Sequence, residues 1–197
     1  LLRASWKMAP ALAAGNAIVM KPSEDTPLTT IKVTKLAEEV GFPPGVVNLL
    51  LGPGPSVGDE LARSADVDLI SFTGGIETGR SIMQAATTNM KKIAFELGGK
   101  NPNVIFADTD FDLAVDYVLN GIFFHAGQVC SEGSRLIVEQ SLHDRLMEAV
   151  IDRARKIKLG DAFDASTEMG PLISEKHRAK VEGYVKLVQE EGATLAL

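Results

Sequence analysis

Short apolar runs rich in Val, Ile and Leu alternate with helical patterns along this chain. That rhythm predicts an α/β fold of parallel strands joined by crossover helices. Residues 16–20 read as a first strand. Thr26 then reads as an N-cap with Pro27 at the first helical position. The helix it opens carries Leu28, Ile31, Leu36 and Val40 inward and stops at Gly41, before Pro43-Pro44. A second strand over 46–51 meets the turn Gly52-Pro53-Gly54-Pro55, and a helix over 56–63 follows. Residues 69–72 give a third strand, 77–86 a third helix and 93–97 a fourth strand. Ahead of all these, Ala4, Met8 and Leu12 space a helical pattern around Trp6, and the core is the default place for that indole.

After Gly98-Gly99 the rhythm changes, and a domain boundary is placed there, between 1–98 and 99–197. A short strand over 104–106 precedes a long helix over 110–124 with Phe111, Val115, Val118 and Ile122 on one face. A strand over 135–139 comes next. Ser141 caps a helix carrying Leu142, Leu146, Val150 and Ile157, and a last Ser-capped helix runs over 174–190. Residues 193–197 stop inside a strand-like run, and Leu1-Leu2 opens without an initiator Met. The sequence therefore reads as an internal piece of a longer protein.

Composition narrows the classes. The chain has 197 residues, 45% of them hydrophobic, enough for one good core or one domain and part of a second. No apolar run reaches the length of a membrane span. The net charge of -6 argues against a nucleic-acid surface, which needs a dominant basic patch. A single cysteine excludes an intrachain disulfide and suits a reducing cytoplasm. His125, His143 and His177 lack the spacing of a zinc site, so no metal is expected.

Several segments carry chemistry. Phe72-Thr73-Gly74-Gly75-Ile76-Glu77-Thr78-Gly79 is a strand that ends in glycines and opens a helix. Free N–H groups and the helix dipole at such a junction favour a phosphate, although a plain tight turn would look the same. Gly52-Pro53-Gly54-Pro55 is a second glycine turn at the same edge, outside the carboxyl ends of the strands, where ligands of open parallel sheets collect. Lys21-Pro22-Ser23-Glu24 follows the first strand there. Its lysine can donate to ribose or phosphate oxygens and its Glu24 can accept from ribose hydroxyls. A carboxylate in that place repels an extra 2′-phosphate, favouring NAD over NADP. Cys130 ends Phe124-His125-Ala126-Gly127-Gln128-Val129-Cys130, and Glu96 closes an apolar strand before Leu97-Gly98-Gly99-Lys100-Asn101-Pro102. A thiol alone is more often inert packing; with a carboxylate it can be a nucleophile with its base.

Taken together, these residues resemble the aldehyde dehydrogenase superfamily. The matching stretches are Trp6-Lys7, 9–16, 21–24, 41–45, 72–79, 96–102, 127–130 and 168–172, in family order and across essentially the whole chain. Residues 73–79 and 124–130 look most like the bacterial members that act on betaine aldehyde. The resemblance implies a Rossmann-like NAD-binding domain over 1–98, lacking its N-terminal part. The first part of an α/β catalytic domain would fill 99–197. It implies that Cys130 attacks an aldehyde, that hydride passes to NAD, and that Glu96 activates the water that hydrolyses the thioester. Lys21, Ser23 and Glu24 would hold the adenosine ribose and Gly54 would border the adenine. Gly74, Gly75, Thr78 and Gly79 would lie by the pyrophosphate, with Leu97 near the nicotinamide. Trp6 would line the substrate tunnel, where indole attracts a trimethylammonium group.

The partners so implied are a small aldehyde and further copies of the same chain, as a dimer or tetramer. The family's oxyanion-hole asparagine would precede Leu1, and its Glu-x-Phe-Gly-Pro segment would follow Leu197. Gly75 stands where many members carry Ser. Glu132 is an unusual acidic choice beside the nucleophile and is expected to point away from it. Two rival readings stand beside this one: a dinucleotide-binding or structural remnant without turnover, and a thiol esterase working through the same Cys130.

Overall fold

Each strand pairs in parallel with one neighbour, and each pair brackets a helix that carries the chain back across the sheet. The computed structural model describes residues 1–197. Helix α1 (Leu2–Ala13) leads into β1 (Ile18–Met20), α2 (Leu28–Glu39) and β2 (Val47–Leu49). A π-helical turn, Gly54–Gly58, and the short α3 (Asp59–Arg63) lead to β3 (Leu69–Gly74), α4 (Ile76–Ala85) and β4 (Lys92–Leu97). Then come β5 (Pro102–Ile105), α5 (Phe111–Phe123) and β6 (Arg135–Val138), followed by α6 (His143–Ala154) and α7 (Glu175–Glu190). Parallel strands cannot be joined by a hairpin, so each pair needs its helical crossover. The hydrogen-bonded strands form three two-stranded parallel sheets. The alternation is α/β throughout, as its apolar rhythm requires.

Packing divides the chain into two compact units, Leu1–Leu97 and Gly98–Leu197. In the second, the stripe at Phe111, Val115, Val118 and Ile122 faces the interior. Val115 and Val118 pack with Ile105, Leu142, Leu146 and Val150 in one apolar cluster. Asp110 caps α5 by accepting the Leu113 N–H at 3.1 Å, and Ser174 caps α7 by accepting from His177 at 3.2 Å.

Several expectations fail for identifiable reasons. The inward face of α2 is Thr30, Val33, Thr34 and Ala37, spaced i, i+3, i+4, i+7, and Thr30 and Ala37 are buried. Leu28 is 77% and Val40 73% exposed. Small and β-branched side chains let α2 lie close to β2, a stripe that hydrophobicity alone does not flag. Pro27 takes the N-cap position expected of Thr26, and no side chain caps the helix. The Ser141 hydroxyl bonds Glu139 at 2.9 Å rather than capping α6, whose N-cap is Leu142. The helix expected over 56–63 begins earlier, as the π turn, and residues 193–197 form no strand. No helix is long and apolar enough to cross a membrane.

Candidate active site

The parallel register puts the carboxyl ends of β1 and β2 side by side, with Met20 opposite Leu49. Lys21 and Glu24 therefore leave β1 beside the Gly52–Gly54 turn that leaves β2. The Lys21 ammonium donates to Pro22 O at 2.8 Å and Gly52 O at 3.1 Å. Glu24 Oε1 accepts the Gly54 N–H at 2.6 Å and lies 3.9 Å from Lys21 Nζ. Main-chain N–H groups of Glu24 itself and of Gly54 hold the exposed Glu24 carboxyl below the usual carboxylate range, with Lys21 adding its charge. Ser23 spends its hydroxyl locally, accepting from the Asp25 N–H at 3.4 Å. Lys21, Glu24 and Gly54 thus converge on one exposed polar edge.

The second strand pair makes a similar edge. Register places Thr73 opposite Glu96 and Gly74 opposite Leu97, so the glycine turn and the acidic strand end are neighbours. Gly75 is the N-cap of α4 and no side chain caps that terminus, so its first N–H groups face outward with the positive end of the helix dipole. A Cβ at Gly75 would meet nothing, leaving room for a ligand there. Gly79 is different: it is buried, and a Cβ on it would sit 3.3 Å from Leu97 Cδ2. Its bareness lets α4 pack against the end of β4. Thr78 is exposed on the same first turn.

Trp6 is 64% exposed within this unit, not in a core. The next residue, Lys7, donates to Ser71 Oγ at 2.8 Å and ties α1 to β3. Burial pushes the Lys7 ammonium down and the Glu96 charge pulls it back up, with Arg3 lowering it further. Lys7 is therefore an electrostatic neighbour of Glu96. The sequence signalled it only as the residue beside Trp6.

In the second unit the chain leaves α5 through a distorted 3-10 turn, Phe124–Gly127. His125 (φ 55°) and Ala126 (φ 54°) are both left-handed, and Gly127 follows at φ 69°. Left-handed backbone costs a residue with a Cβ roughly 1–2 kcal/mol, and such strain gathers where a fold presents a working group. Cys130, which is exposed, and Ser131 then form the middle of a turn tied twice at its ends. Glu132 N–H donates to Val129 O at 3.2 Å, and Val129 N–H donates back to Glu132 Oε2, also at 3.2 Å. Glu132 is accordingly buried, at 9% exposure, with its carboxylate turned back onto Val129, while Cys130 is exposed. The physical reason is the Val129 N–H, a main-chain donor at the right distance to hold a carboxylate. The Cys130 N–H itself donates to no protein acceptor.

Asn101, just before β5, completes the arrangement. Its side-chain amide donates to the carbonyls of Cys130 (2.9 Å) and Glu132 (3.2 Å). Its position directly ahead of Pro102 was the one available signal. The structure therefore gathers Lys21, Glu24 and Gly54 at one strand edge, and Gly74, Gly75, Thr78, Gly79, Glu96 and Leu97 at a second. Cys130 sits with Asn101 and Glu132 in the other unit.

Comparison with known proteins agrees on one family. The pattern of the aldehyde dehydrogenase family matches residues 1–197. The chain is 68% identical over 195 residues to betaine aldehyde dehydrogenase of Bacillus subtilis, covering 99% of this chain and 40% of that protein. It is 45% identical over 196 residues to human mitochondrial aldehyde dehydrogenase, covering 99% of this chain and 38% of that one. A crystal structure of Staphylococcus aureus betaine aldehyde dehydrogenase in complex with NAD+ superposes with a TM-score of 0.97 at 62% identity, over 100% of this chain and 39% of that one. The chain thus spans about two-fifths of the length of these relatives.

Proposed function

This chain belongs to the aldehyde dehydrogenase family, and we propose that the whole protein oxidises an aldehyde to a carboxylic acid with NAD, its substrate being betaine aldehyde. The observation that carries the reading is the exposed Cys130 at the centre of a doubly tied turn whose own N–H is uncommitted. The thiolate attacks the aldehyde carbonyl carbon, and the new C–O⁻ accepts from the Cys130 N–H. NAD, when bound, takes the hydride that leaves this carbon. The product on Cys130 is a thioester. Glu96 takes a proton from the water that attacks it, and the sulfur leaves with the bonding pair.

Residues 1–97 supply the dinucleotide side of this chemistry. The uncapped start of α4 and the bare Gly75 suit a pyrophosphate. Lys21 and Glu24 suit the ribose hydroxyls, with Gly54 leaving space beside Glu24. The depressed Glu24 is an anion at neutral pH and repels a 2′-phosphate, which selects NAD over NADP. Residues 98–197 begin the catalytic part. Two of the relatives named above are betaine aldehyde dehydrogenases, and the exposed indole of Trp6 supplies a face that attracts a quaternary ammonium.

The test is stopped-flow NADH formation by the full-length protein with betaine aldehyde. Cys130→Ala abolishes the signal. Glu96→Ala gives one burst of NADH with steady turnover lost. Turnover retained in Cys130→Ala would sink the assignment.

A further inference from the structure

Glu132 is a buried carboxylate that no cation within residues 1–197 pairs, beside a residue that the chemistry needs at the surface. Desolvating a carboxylate is costly, and here its partner is one main-chain N–H, that of Val129. We propose that Glu132 is a positioning residue for the nucleophile: with Asn101 it locks the Val129–Cys130–Ser131–Glu132 turn so that the thiol and the Cys130 N–H present together. The inference rests on the reading of Cys130 as nucleophile.

Three observations converge on it. The Glu132 side chain and main chain both return to Val129, so the turn is closed from both ends. Asn101 spends its amide on the carbonyls of Cys130 and Glu132, which turns the Cys130 peptide so that its C=O faces the protein. Gly127 makes room for the carboxylate: a Cβ there would lie 3.8 Å from Glu132 Oε1, 3.9 Å from Oε2 and 3.4 Å from Ile122 O. The left-handed run His125, Ala126, Gly127 delivers the chain into this clasp.

The geometry makes a specific demand on side-chain length and on acceptor chemistry, and not on charge. Glutamine keeps an oxygen at the same reach and can accept the Val129 N–H; aspartate is one methylene short; alanine offers nothing. In the full-length protein, Glu132→Ala is expected to lower kcat between about ten- and a hundredfold, the range a small misplacement of a reacting group produces. KM for NAD stays within about twofold, because the groups proposed for the nucleotide belong to the unit Leu1–Leu97. Glu132→Gln restores kcat to within about twofold of the parent, and Glu132→Asp does not. Alkylation of Cys130 by iodoacetamide, which needs no aldehyde, follows the same order.

Wild-type kcat in Glu132→Ala overturns the proposal. So does a Gln variant as impaired as the Ala variant, or an effect confined to KM. If Glu132→Ala does not fold, the Gln and Asp pair decides: Gln normal with Asp impaired supports the clasp, and equal behaviour overturns it. Cys130→Ala assayed alongside separates the two levels. Turnover in that variant removes the nucleophile assignment, whereas the alkylation order across the Glu132 variants still reports on the clasp.

Discussion

The unit Gly98–Leu197 buries Leu146 completely, among Ile105, Val115, Val118, Leu142 and Val150. The unit Leu1–Leu97 buries Ala37, Ala62, Ala85 and Ala86 together with Thr30 and Lys91. Both are made of parallel βαβ steps, so the difference lies in what the helices bring to the strands. Small side chains let helix and strand approach closely, yet each removes little apolar area from water, at about 0.8 kcal/mol per buried methylene. The first unit accordingly leans on side-chain clips to main-chain carbonyls, Asn89 to Ala65 and Lys91 to Ser64. The same contrast runs through the candidate site. The Cys130 turn follows directly from α5, the helix that contributes most to the larger core. The Lys21–Glu24 edge rests on polar contacts, part-buried at Lys21 and exposed at Glu24. The proposed nucleophile needs fixed geometry, whereas the groups proposed for a soluble cofactor can remain adjustable.

The largest effect expected on this contrast comes from truncation in the well-filled unit. Leu146→Ala should cost about 2–5 kcal/mol, because a fully buried leucine leaves a cavity as well as lost burial. Urea unfolding followed by tryptophan-independent circular dichroism measures it, and a loss under about 1 kcal/mol would remove the distinction between the two cores. The alanine-lined unit should fail in the opposite direction. Ala85→Leu, at a site with no room, should cost about 1–3 kcal/mol through overpacking; a neutral or stabilising result in the same assay would show slack where none is expected.

The smallest effect is electrostatic. Glu24 titrates below an ordinary glutamate because its ionised form is favoured by N–H donors. A depressed folded pKa means that its contribution is fully present above the unfolded value and disappears as pH falls through the folded one. The Gly54 amide resonance should therefore titrate with a midpoint below that of a free glutamate, and Glu24→Gln should flatten it. A midpoint at or above the ordinary value contradicts the Glu24–Gly54 bond.

Much of this was legible in the letters. The α5 stripe reads correctly because Val and Phe at i, i+4, i+7 announce themselves, and Ser174 caps α7 as its chemistry requires; Asp110, read as the first helical residue, is the N-cap of α5. The edge groups Lys21, Glu24 and Gly54 fall where the ends of parallel strands must bring them. The α2 face was misread because its buried members, Thr30 and Ala37, carry weak hydrophobic signals while Leu28 and Val40 carry strong ones. For Trp6 residue type alone defaults to a core, and the exposed indole departs from that default; its neighbour Lys7 is the residue that ties α1 to β3. The partner of Glu132 was not legible, because it is a main-chain N–H, which no letter encodes. The division into strand pairs was hidden for the same reason: main-chain bonds between strands leave no mark on composition.

Lys21 carries one more consequence. Its ammonium already holds two acceptors, Pro22 O and Gly52 O. An ammonium carries three N–H donors, so one remains for a further oxygen while the other two keep Pro22 O and Gly52 O. Gly52 lies in the turn that also carries Gly54, so the lysine is a strut between the end of β1 and the neighbouring loop. Lys21→Met would therefore loosen that loop even with no ligand present.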